Sequence, residues 1–97
     1  MKIILLDGEK IKNIKDVHET FSTELSFPTY YGKNLDALHD CITDLRNEKI
    51  GVIIVNAQKF EKALGRRYKS FMGLMDDLCG ELSSFRLLVE PFSDLND

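Results

Sequence analysis

Ninety-seven residues, 43 % apolar and 30 % charged, suffice for one core and leave no room for two. A formal charge of −3 argues against a nucleic-acid binder built on a basic surface. Apolar runs such as Ile3–Leu6 and Val52–Val55 fall far short of the roughly 20 residues a membrane helix needs, and Asp7 and Glu9 close the N-terminal run too early for a secretory signal. Two cysteines cannot build a disulfide scaffold, so we expect a cytoplasmic single domain over residues 1–97 with free thiols and residues 91–97 as a short tail.

Three short runs read as strands: Lys2 to Leu6, Gly51 to Asn56 and Phe85 to Val89. Each is nearly continuous in Ile, Leu and Val, the pattern of strands covered on both faces. Helical periodicity lies between them. The first helix starts at the capping residue Asn13, carries Ile14, Val17, Phe21 and Leu25 on one side, and ends near Leu25 because Pro28 biases Phe27 away from helical angles. Residues 27–33 read as a loop with Tyr30 and Tyr31 at its tip. A second helix runs from about Asn34 to Leu45, a third from about Ala57 to Leu64 ended by Gly65, and a fourth from about Arg66 to Leu82. The order predicts an α/β fold: a small parallel three-stranded sheet with about four helices in right-handed crossovers.

Charge is concentrated on the second helix. Residues 34–48 hold four acids against Arg46 alone, and the rest of the chain sums to zero. Leu35, Leu38, Ile42 and Leu45 fall on one side, with Cys41 at its edge. Asp36, Asp40 and Asp44 stack on the other at four-residue spacing. Like charges so placed repel by about 0.2–0.5 kcal/mol per pair, a cost that a cationic partner would offset on binding. Small surface penalties of this size also occur without function. The adjacent tyrosines favour the functional reading, since Tyr supplies a large rigid contact with a polar end; we expect one tyrosine buried and one available.

Other constellations carry less. His39, Asp40 and Cys41 are consecutive, so on a helix their side chains diverge by about 100° and cannot form a nucleophilic set. The three aspartates would suit Mg²⁺ only beside a phosphate-holding group, and none is evident. His18 reads as a packed histidine, and Cys41 and Cys79 as buried free thiols. No catalytic residue, cofactor or metal is expected.

The stretch Pro28-x-Tyr30-Tyr31-Gly32-x-Asn34-Leu35-Asp36-Ala37-Leu38-x-Asp40-Cys41 resembles the barstar-like family of ribonuclease inhibitors, and weaker similarity extends over the chain up to residue 90. The resemblance implies a small parallel three-stranded sheet with helices, and a loop and second helix that plug the active site of a guanyl-preferring ribonuclease. Asp40 would be the central carboxylate, standing in for a substrate phosphate, with Asp36 a second charged contact and Tyr30 an aromatic one. The implied partner-facing set is Tyr30, Tyr31, Gly32, Asn34, Leu35, Asp36, His39, Asp40, Thr43 and Asp44, with Asp77 from the last helix. His39 and Leu45 stand where the family has tryptophans, and Asp77 where it has glutamate. The expected partner is therefore a basic ribonuclease or ribonuclease toxin domain, with no direct nucleic-acid or membrane contact, and the free protein is expected to be a monomer. The alternative is an α/β interaction module that offers the same helix to a non-nuclease basic protein.

Overall fold

The computed structural model describes residues 1–90. Eight elements follow in the order β1 (Lys2–Asp7), α1 (Ile14–Glu24), α2 (Leu35–Asp44), β2 (Ile50–Val55), α3 (Ala57–Leu64), a 3₁₀ turn (Gly65–Arg67), α4 (Tyr68–Glu81) and β3 (Phe85–Glu90). The strands form one parallel sheet in the order β1-β2-β3. Its registers align Ile4 with Val52 and Leu87, and Leu5 with Ile53 and Leu88. The expected tail at 91–97 lies outside the described residues.

Strand order explains where the core sits. Each crossover moves the chain one strand further in the same direction, so the right-handed rule lays all the helices on one face. Ile4, Leu6, Ile50, Val52, Ile54 and Phe85 are buried on that face against Val17 and Phe21 of α1, Leu38 and Ile42 of α2, Phe60 and Leu64 of α3, and Phe71, Met75 and Leu78 of α4. Phe71 is the hub, with its ring edge-on to both Phe21 and Phe60.

The opposite face corrects the expectation that both sheet faces are covered. Ile3, Leu5 and Leu88 are 47 %, 53 % and 55 % exposed. A sheet whose order never reverses has no second set of crossovers to cover it. The apolar runs are therefore continuous without being buried on both sides.

Local signals set the helix ends. Asn13 Oδ1 accepts from the Asp16 N–H at 3.0 Å, and Asn34 Oδ1 from the Ala37 N–H at 2.8 Å, so both expected N-caps are in place. Past α1, Ser26 takes the left-handed conformation (φ 53°), and the Phe27 N–H reaches back to the Ser22 carbonyl at 3.0 Å. That closure satisfies a terminal carbonyl before Pro28 is reached, a job usually given to glycine. Gly65 ends α3 with φ 57°. The chain then makes a 3₁₀ turn, so α4 begins at Tyr68, two residues later than its periodicity suggests.

Candidate functional site

The segment between α1 and α2 is built around two adjacent tyrosines with opposite fates. The Tyr31 N–H bonds to the Pro28 carbonyl at 3.0 Å, closing a four-residue turn that has Tyr30 at its tip. Tyr31 is only 8 % exposed, whereas Tyr30 is 86 % exposed. The expected division into one buried and one available ring is what the structure contains. Tyr31 is held from two sides: its ring lies 4.9 Å from that of Phe27, and its hydroxyl is 2.6 Å from Nδ1 of buried His18. Burial pushes the Tyr31 phenol well above its ordinary range, with the Cys41 side chain adding to the shift. Burial, with the Lys33 charge second, lowers the His18 pKa.

Gly32 and Lys33 lead from this turn to Asn34. Lys33 has φ 53°, and its amine sits 3.7 Å from the Glu19 carboxylate of α1. A methyl group on Gly32 would lie 3.2 Å from the Asn34 amide, so the glycine lets the chain pass close beside the cap of α2.

On α2, Leu38 and Ile42 are buried and Leu35 and Leu45 half-buried, while Asp36, Asp40 and Asp44 are exposed. The helix face read from the sequence is thus the face that meets solvent. Its last turn holds no basic side chain, although Nε of Arg46 donates to the Thr43 carbonyl at 3.1 Å just beyond it. Thr43 turns its hydroxyl back to the Asp40 carbonyl at 3.0 Å, within its own helix. Between Tyr30 and α2 lies a groove of about 330 Å³ whose walls include Leu25, Phe27, Pro28, Ala37, Cys41 and Leu45, with Asp40 and Asp44 contributing carboxylates. Burial raises the Cys41 thiol pKa, and the charges of Asp44 and Asp40 raise it further, keeping it protonated.

His39 points elsewhere. Its Nε2 meets both Glu81 oxygens at 3.0 and 3.1 Å, joining α2 to the last residue of α4, and its Nδ1 lies 3.7 Å from Asp40. The Glu81 hydrogen bond is the main cause of a raised His39 pKa, opposed by partial burial and assisted by the Glu81 and Asp40 charges. Glu81 lies outside the partner-facing set that the family resemblance implies. It lies one turn after exposed Asp77 on α4, and that four-residue spacing of acids was the available signal.

Among the described residues, no cluster of three or more His, Cys, Asp or Glu side chains is arranged to hold a metal ion, and no helix is long and apolar enough to cross a membrane.

A model of the family described as Barstar (barnase inhibitor) matches residues 1–90. Over 91 residues the chain is 31 % identical to a Bacillus subtilis (strain 168) protein named "Putative ribonuclease inhibitor YrdF", a match covering 93 % of this chain and 100 % of that relative. With a family match spanning every described element, the chain belongs to the Barstar (barnase inhibitor) family.

Proposed function

We propose that this protein inhibits a basic ribonuclease, or a ribonuclease toxin domain, by seating the 30–44 segment in the enzyme's active site. It performs no chemistry of its own. A nuclease pocket is preorganised for a phosphate anion, so a carboxylate on a rigid helix can occupy it without being turned over. Asp40 takes the central position, Asp36 and Asp44 flank it on the same helix face, and Tyr30 supplies the rigid aromatic anchor. Gly32, Asn34 and Leu35 shape the entry to α2, and Thr43, His39 and Asp77 are assigned the outer contacts with the enzyme.

The observation that carries this reading is the pair of tyrosines: one locked into the core, the other held at a turn tip on the groove that Asp40 and Asp44 also line. An aromatic exposed to this degree, on a turn that its neighbour anchors, is preorganised for contact. Membership of a family described as barnase inhibitors supports the choice of partner.

The test is co-elution with a basic, guanyl-preferring ribonuclease at low and high ionic strength, with RNA cleavage assayed in each fraction. Inhibition predicts a complex without cleavage activity whose association slows as salt screens the steering charges. A complex that still cuts RNA would instead assign the acidic helix to a partner of another kind.

A further inference from the structure

The bare face of the sheet is self-complementary. Its side chains fall into three rows across the strands: Ile3–Gly51–Arg86, Leu5–Ile53–Leu88 and Asp7–Val55–Glu90. The middle row is wholly apolar, and Ile3 extends the patch at the start of β1. A contiguous exposed apolar patch of this kind marks a contact surface more often than a solvated one. Its charges are ordered as well: on β3 the cation Arg86 stands in the first row and the anion Glu90 in the third, about 13 Å apart along the strand.

We infer that this face is covered by the same face of a second copy, stacked sheet on sheet with the strands antiparallel. The two-fold axis then crosses the strands at the middle row. Leu5, Ile53 and Leu88 meet their own counterparts, and each first row lies over a third row. Arg86 faces Glu90 of the partner subunit, and by symmetry the contact occurs twice. The other possible two-fold axis, along the strands, would instead bury Arg86 against Ile3 of the partner subunit. Arg86 has the capacity for the first arrangement. One terminal guanidinium nitrogen donates to the Ser83 and Phe85 carbonyls, leaving its other nitrogens for a carboxylate. The same stacking lays Ile3 over Asp7 of the partner subunit, a carboxylate whose Oδ1 already accepts from the Asn56 amide at 2.8 Å and the Glu9 N–H at 2.9 Å.

Three short strands bury less than about 1,200 Å² in total when stacked, the size class of weak, transient contacts. The dimer is therefore expected to be reversible and to form towards the upper end of the concentration range. This inference does not depend on the proposed inhibitory site, which lies on the helical side.

Sedimentation velocity of the full chain over a wide concentration range tests it. We expect mass to rise from one copy towards two, and Leu88→Lys, on an exposed position, to hold the chain at one copy with unchanged circular dichroism. Arg86→Glu and Glu90→Arg should each weaken association at least tenfold, and the double reversal should restore it. A chain that stays monomeric throughout, whether residues 91–97 or an unrelated protein takes the face, would overturn the inference. Association insensitive to Leu88→Lys, or not restored by the double reversal, would also overturn it.

Discussion

His18 and Tyr31, thirteen residues apart, share a 2.6 Å contact between the imidazole Nδ1 and the phenol oxygen, out of reach of solvent. The link ties α1 to the turn that precedes α2. It makes Tyr31 a fixed point from which its neighbour Tyr30 projects. The position of the exposed ring is thus determined by a hydrogen bond it does not make.

Tyr31→Phe keeps the ring and removes the hydroxyl, leaving His18 Nδ1 buried without a partner. Urea unfolding should report a loss of about 1–3 kcal/mol, the usual penalty for an orphaned buried polar group. Tyr30→Phe should change stability by less than about 0.5 kcal/mol, because its hydroxyl is exposed. Equal losses in the two variants would refute the division of labour between the rings.

The two histidines give opposite pH signatures. Burial lowers the His18 pKa in the folded state, so the unfolded chain binds its proton more readily and stability falls as pH drops below about 6.5. The Glu81 contact raises the His39 pKa, so its contribution is fully present below about 6.5 and fades as pH rises through the higher folded value. Unfolding curves across this range should show His39→Gln weaker than the parent in mild acid and level with it once both states are deprotonated. His18→Gln should flatten the acid-side decline.

Within the proposed interface the ranking is Asp40→Ala first, then Asp36→Ala and Tyr30→Ala. The loss of a charge-assisted contact at the centre should cost about 1.5–3 kcal/mol, or roughly a 10- to 150-fold rise in the dissociation constant for the ribonuclease. Calorimetry or surface plasmon resonance reads it directly. Unchanged affinity in all three variants would remove the site.

Gly8 separates folding from binding. A methyl group there would sit 2.2 Å from the Asn56 carbonyl oxygen and 2.5 Å from the Phe60 nitrogen, both backbone atoms that cannot swing aside. Gly8→Ala should therefore destabilise by about 1–3 kcal/mol as β1 is forced away from the start of α3. Affinity for the ribonuclease, measured at a temperature where the variant is still folded, should be unchanged.

Much of this was legible in the residues. Asn13 and Asn34 marked helix starts because a short polar side chain can accept from the free N–H groups three residues further on, and Gly65 marked a stop because it accepts a positive φ. The carboxylate face of α2 followed from spacing alone. What the residues concealed depended on other parts of the chain. Continuous apolar strands cannot tell whether one face or two will be covered; strand order decides that. The His18–Tyr31 bond and the His39–Glu81 bridge, forty-two residues apart, join segments whose adjacency exists only after folding. Ser26 gave no warning either, because serine is an uncommon choice for the left-handed position that closes α1.

The stacked aspartates of α2 also give added electrolyte two opposing effects. In the unbound protein, mobile cations gather along the ridge and relieve its mutual repulsion, so a modest increase in ionic strength should raise the melting temperature. In the proposed complex the same cations would compete with the ribonuclease for the same carboxylates, so the hold on the enzyme should loosen. A buffer chosen to keep this protein folded longest is therefore a poor buffer in which to observe it bind.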